Sequence, residues 1–178
     1  MNMKKLSAAV VVMLGLGVSA AQADDGSLNF TGEVSASSCS VATSSTEVPV
    51  TFDGYSAATL DGVAPGTTTS ALQKPFSIKL VGCPEGLSVA KIKLDGKTSG
   101  IVPNAFVGAS TARYVGIVIS DANTNTIITP KVFGGDQTIV PGAENTLNYL
   151  VGLTKTTSES AAVAGTVDVP VTFTMSYE

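Results

Sequence analysis

Apolar and polar residues alternate along most of this chain. Leu28, Phe30, Gly32 and Val34 alternate with Asn29, Thr31 and Glu33, the period of a half-buried β-strand. The same period recurs in "EVPVTF" (Val48, Val50, Phe52), "KPFSIKL" (Phe76, Ile78, Leu80), "AKIKL" (Ala90, Ile92, Leu94) and "TLNYLVGL" (Leu147, Tyr149, Val151, Leu153). Arg113 to Ser120 form a run rich in β-branched residues, and Val167, Val169, Val171, Phe173, Met175 and Tyr177 share one face of the last stretch. Turn signals separate these runs: Asp53-Gly54, Asp61-Gly62, Asp95-Gly96, "DANTNT" over 121–126, "FGGDQ" over 133–137 and Pro141-Gly142. The stretch 62–71 reads as an exposed loop or an edge crossing. No stretch holds a helical period. The pattern predicts an all-β sandwich or barrel.

The opening residues follow a different logic. Lys4 and Lys5 precede an uncharged apolar run from Leu6 to about Val18, then Ala21-Gln22-Ala23. This is the layout of a secretory signal, and the run is shorter than the ~20 residues a spanning helix needs. Cleavage is expected after Ala23. Removing the first 23 of 178 residues leaves 155, one domain in size. Without the two signal lysines, eight of the ten basic residues remain against 14 acidic ones, a net charge of −6. Such a chain, with a single arginine and no basic cluster, suits neither nucleic acid nor an anionic membrane, and direct membrane insertion is not expected.

Export also bears on the two cysteines. A bond between Cys39 and Cys83 is the default in an oxidising compartment, closing a loop of about 45 residues for roughly 4 kcal/mol in a chain-entropy treatment. A redox pair calls for C-x-x-C spacing, and a metal site for more thiols or for histidine. Histidine is absent from the whole chain. That removes Ser-His-Asp and Cys-His catalysis and imidazole ligation. Asp53, Asp61, Asp95, Asp121 and Asp136 sit at turns, where aspartate normally bonds nearby backbone. Spacing alone leaves a glycosidase carboxylate pair open, but a chain that is 6% aromatic, with no tryptophan, has few platforms for sugar rings. Gly134-Gly135 lacks the lysine and helix of a P-loop, and the sequon Asn29-Phe30-Thr31 is a pattern common by chance. No catalytic, cofactor-binding or metal-binding residues are expected, and no cofactor.

The two ends pose one problem together. Thr166 to Tyr177 carry an unbroken apolar face, and a long apolar strand edge is a hazard that proteins normally cover. Pro170 suits an edge, because it cannot donate to a ladder. At the other end, the Leu28–Val34 strand has no obvious partner. Either it folds back onto its own last strand or it serves a neighbouring molecule.

The residues "GSLNFTGEVSASSC" (26–39), "PFSIKLVGC" (75–83) and a C-terminal strand with Tyr177 next to last resemble a chaperone–usher fimbrial pilin, close to the major structural subunits of type 1-like fimbriae. The order of signal, extension, two cysteines and long final strand is similar over the whole mature chain. The resemblance implies an incomplete immunoglobulin-like β-sandwich, six-stranded and missing its last strand, with a signal peptide over 1–23, a donor-strand extension over 24–36 and a pilin domain over 37–178. Leu28, Phe30 and Val34 would fill pockets in a neighbour, with Gly32 where the groove admits no side chain. Val167, Val169, Val171, Phe173, Met175 and Tyr177 would line the acceptor groove. Cys39–Cys83 would tie the first strand to the second, fixing one groove wall, and a periplasmic chaperone's basic residues would hold the Glu178 carboxylate. The implied partners are other copies of the subunit in a homopolymer, the chaperone and an outer-membrane usher. The implied route runs through the periplasm to a surface fimbria supporting adhesion. The mature chain has no room for a sugar-binding domain ahead of the pilin domain, so a shaft or adaptor subunit is expected rather than a two-domain tip lectin. A minor or adaptor pilin and a secreted single-domain carbohydrate-binding module are the competing readings.

Overall fold

A computed structural model describes residues 38–178. The signal over 1–23, the extension over 24–36 and the four donor residues Leu28, Phe30, Gly32 and Val34 lie outside the described residues. The described chain is all-β, with seven strands in two sheets. They are β1 (Ser40–Val41), β2 (Gln73–Val81), β3 (Val89–Asp95), β4 (Val115–Asp121), β5 (Phe133–Thr138), β6 (Asn145–Lys155) and β7 (Thr172–Tyr177). One sheet runs β1-β2-β6-β4 and the other β5-β3-β7, and every strand pairing is antiparallel.

Alternation places the core between the sheets. Ile78 and Leu80 of β2, Leu147, Tyr149, Val151 and Leu153 of β6, and Ile117 and Ile119 of β4 face Ala90, Ile92 and Leu94 of β3, all of them buried. The Tyr149 ring stacks on Phe76 at 5.5 Å between centroids. Burial, with the Asp121 charge nearby, pushes its phenol well above the ordinary range. The four expected strands at 74–80, 90–94, 113–120 and 146–153 are thus present. β4 starts at Val115 rather than Arg113 because Tyr114 takes a positive φ of 62°, which breaks the extended run.

Three expected segments are organised differently. Val48, Val50 and Phe52 keep their alternation, yet 46–52 joins no ladder, because no strand lies beside it among the described residues. "FGGDQ", expected as a turn, is most of β5. Gln137 pairs with Ala90 and Gly134 with Ile92, leaving an extra residue opposite Lys91. This bulge uses Gly135 at φ +60°, where a Cβ would come within 2.9 Å of Ile128. The last strand is laddered only over β7, and 166–171 continues it without a strand neighbour.

The outer face of β6 is covered by the segment 56–72. It opens with a short helix, α1 (Ala57–Asp61), whose cap Ser56 accepts from the Thr59 N–H at 3.2 Å; five residues are too few to show a period. At Gly152 any side chain would strike Thr68, so that segment can lie directly on the sheet. Asp61 fastens its end, accepting from the Ala162 N–H at 2.8 Å and pairing with buried Lys155 at 3.2 Å. Asp121 behaves as a turn aspartate should, accepting from the N–H groups of Asn123 and Thr124 at 2.8 and 2.9 Å. Gln137 links the two sheets: its side-chain amide donates to the Asn148 carbonyl at 2.8 Å and accepts from the Asn148 N–H at 2.9 Å, imitating a strand neighbour for β6.

Cys39 and Cys83 are joined in a disulfide. It lies beside the two-residue pairing of β1 with the end of β2, Ser40 with Val81 and Val41 with Leu80. So short a ladder cannot hold the first strand alone, and the bond supplies what it lacks. Replacing both cysteines by alanine is expected to cost ~4 kcal/mol of stability, read as a fall in the denaturant midpoint; an unchanged midpoint would contradict the role given to the bond. The Ala162 N–H, then Lys155, hold the Asp61 carboxyl below its ordinary value of 3.8. A lowered folded value means stability that is complete above the ordinary value and lost as pH falls through the folded one. Thermal melts should therefore show a gap between the parent and Asp61→Asn that is full at neutral pH and closes in acid. A gap independent of pH would contradict this.

Candidate functional site: an open groove

The outer edge of β4 is covered by Phe106, which exchanges two backbone hydrogen bonds with Ile117 at 2.8 and 2.9 Å, and by Ile128, which donates to Ile119 at 2.8 Å. Between 41–52 on one side and 167–173 on the other, the sandwich is open. There a groove of about 730 Å³ reaches down to core residues Ile78, Ile92, Leu94, Ile117, Ile119 and Val151.

The wall formed by the end of the chain explains itself from its backbone. In a strand, the N–H and C=O of one residue point to the same side, and alternate residues point to opposite sides. Glu178 and Val89 exchange backbone hydrogen bonds at 2.9 Å each. With the observed register, this makes Ser176, Thr174 and Thr172 the other residues bonded to β3. Upstream, Thr166 and Asp168 bond to the segment 110–112. The even-numbered row is therefore occupied. The odd-numbered row, Val167 to Tyr177, points away from β3 to the open edge, and no described strand pairs with it. Pro170 belongs to the even row. It lies past the end of the ladder to β3, so its missing N–H breaks no strand pairing, as expected of a proline at an edge.

The odd-numbered side chains also face the core. Val167, Val169, Val171, Phe173, Met175 and Tyr177 pack against buried residues but remain half-exposed, whereas Ile92 and Leu94 across the ladder are buried. Partial desolvation raises the Tyr177 phenol. The structure thus brings the six residues read as a groove wall onto one face, the upper three lining the groove directly together with Phe173. Opposite them, Val48, Val50 and Phe52 line the other wall. Among the described residues, the backbone from Val48 to Phe52 makes no hydrogen bond.

Glu178 is engaged within its own chain. Its carboxylate accepts from Lys91 Nζ at 2.8 Å through both oxygens, and its backbone carbonyl accepts from the N–H groups of Ser88 and Val89 at 2.7 and 2.9 Å. Glu178, and more weakly Asp136 at 3.8 Å, hold the Lys91 ammonium above its ordinary range. Sequence reasoning missed Lys91, whose outward position on β3 gives no signal by itself. It also missed Ser110 and Thr111, which sit in a loop without pattern. No group of three or more Cys, Asp or Glu side chains among the described residues is placed to hold a metal.

The site is an apolar trough flanked by two stretches of backbone whose donors and acceptors have no partner among the described residues. Comparisons with known proteins agree with that architecture. The Fimbrial protein family matches residues 28–178. The uncharacterized fimbrial-like protein SfmA of Escherichia coli (strain K12) is 35% identical over 188 residues, covering 100% of both chains. The uncharacterized fimbrial-like protein YraH of the same strain is 28% identical, with 98% of each chain covered. Among solved structures, the P pilus rod subunit PapA has a TM-score of 0.64 at 20% identity, covering 79% of this chain and 99% of that one. An antigen and type I fimbria protein of Burkholderia pseudomallei has a TM-score of 0.56 at 25% identity, covering 78% and 88%. The family match runs through both groove walls to the last residue, so this chain belongs to the fimbrial protein family and is a fimbrial subunit with an incomplete immunoglobulin-like fold.

Proposed function

We propose that this chain is a structural subunit of a surface fimbria, in the role of a major subunit, and that it polymerises head to tail by donating residues 24–36 to the groove of the next copy. The observation that carries this reading is the odd-numbered row from Val167 to Tyr177: no described strand pairs with its backbone, and its first four side chains, Val167, Val169, Val171 and Phe173, line the open groove. Leu28, Phe30 and Val34 alternate at the spacing such a groove accepts, with Gly32 between them. Filling one copy's groove with the next copy's extension is a heterologous contact, and contacts of that type build open filaments. Inserting about three large apolar side chains at ~1.5–3 kcal/mol each, together with a backbone ladder, makes dissociation very slow.

Before assembly, a periplasmic chaperone would cover the groove with a strand of its own. Its basic residues would have to compete with Lys91 for Glu178. An outer-membrane usher would then exchange that strand for the next subunit's extension and deliver the fibre to the cell surface, where it supports adhesion.

Material sheared from the native host tests this on SDS gels run with and without boiling. The parent should give a ladder of multimers that collapses only on heating. Gly32→Trp and a deletion of Asp24 to Val34 should both abolish the ladder while the domain keeps its circular dichroism spectrum. Normal ladders from Gly32→Trp would overturn the assignment of Gly32 to a side-chain-free part of the groove. Normal ladders from the deletion would overturn strand donation altogether.

A further inference from the structure

The groove wall has two parts that are held in different ways. The ladder between β7 and β3 ends at Thr172 opposite Asp95. Val167 and Val169 lie beyond that point, yet they still line the groove. Their stretch of backbone is held by two hydroxyl side chains of the 108–112 loop instead of by a strand. Ser110 Oγ accepts from the Asp168 N–H at 2.9 Å and donates to the Asp168 carbonyl at 3.3 Å. A hydroxyl is both donor and acceptor, so one atom meets both backbone groups of one residue. Thr111 Oγ1 accepts from the Thr166 N–H at 2.7 Å and lies 2.8 Å from the Thr166 hydroxyl, while the Ala112 N–H donates to the Thr166 carbonyl at 3.1 Å. Gly108 lets the loop come this close, because a Cβ there would run into the Asp168 carbonyl.

From this geometry, and resting on the donor-strand reading above, we propose that Ser110 and Thr111 are positioning residues. They hold Val167 and Val169 extended while the groove is empty, so that an incoming strand meets a wall already in register. The clamp binds the even-numbered row and leaves the odd-numbered row free for the incoming strand. Once a strand is inserted, its own ladder holds the wall from the groove side, and the hydroxyls become largely redundant. The clamp therefore governs how fast the groove is filled, and has little influence on how firmly the filled groove holds. This is preorganisation, in which the cost of ordering a segment is met before binding.

The test uses the mature chain released from its periplasmic complex in denaturant and refolded without the chaperone, so that the groove starts empty. A fluorescein-labelled peptide of residues 24–36 is added, and its uptake is followed over time on unboiled SDS gels. The double variant Ser110→Ala, Thr111→Val should take up peptide about tenfold more slowly than the parent, and Ser110→Ala alone about threefold more slowly. The single variant keeps the test decisive if the double one does not accumulate. Ser110→Thr with Thr111→Ser, which keeps both hydroxyls, should restore the parental rate. The temperature at which the peptide-filled complex comes apart should be the same in all of them. Parental uptake rates in the hydroxyl-lacking variants would overturn the proposal, and so would a slowing matched by an equally weakened filled complex, the mark of ordinary folding damage. If the parent itself takes up no peptide, the donor-strand reading fails, and this proposal fails with it.

Discussion

A β-strand carries two rows of backbone hydrogen-bonding groups, and over 166–178 only one row has partners among the described residues. The even-numbered row is bonded to β3 and to the 110–112 loop. The odd-numbered row points across an apolar groove at 46–52, a segment whose own backbone is also unpaired from Val48 to Phe52 among the described residues. Open strand edges are normally blunted by charge, by proline on the open side or by a covering element. Here the edge of β7 has none of these among the described residues, and the one proline in the run sits on the other row. The edge of β5, by contrast, carries a bulge and Asp136. One sheet therefore has a guarded edge and an unguarded one, and the unguarded edge is the one that borders the groove.

The remainder of the molecule keeps that opening in shape. Cys39–Cys83 anchors a first strand too short to hold by its own ladder, and so fixes the start of one wall. Lys91 and the Ser88 and Val89 amides hold Glu178 at the far end of the other. Between these anchors, the core residues of β2, β3, β4 and β6 are buried, while the residues of the 167–177 face stay half-exposed. The buried core thus lies in the closed part of the sandwich, and half-exposed residues line the open part.

Much of this was legible in the sequence. Alternation located four of the strands to within a residue or two, because each packs one face on the core. It also marked 48–52 and 166–177, where the pattern was right and the expected ladder was incomplete or absent; side-chain period reports which face is buried, not whether a strand lies alongside. β5 was misread because its two glycines look like a turn, whereas one of them serves a bulge opposite Lys91. The clamp at Ser110 and Thr111 left no trace, since two hydroxyls in a loop have no period to betray them. The free odd-numbered row needed the register of β7 against β3, which no pattern of residues supplies. The donor assignment of Leu28, Phe30, Gly32 and Val34 rests on alternation and on family resemblance.

The central claim is that this groove is filled by residues 24–36 of a neighbouring copy. A cryo-electron-microscopy map of fibres sheared from the native host, with the chain traced from Asp24 to Cys39, tests it most directly. The account predicts a strand lying between 46–52 and 167–177 of one subunit, bonded to the odd-numbered row and continuous with Cys39 of the next. A strand that instead runs back to Cys39 of the same subunit, or a groove with no strand in it, would contradict the account.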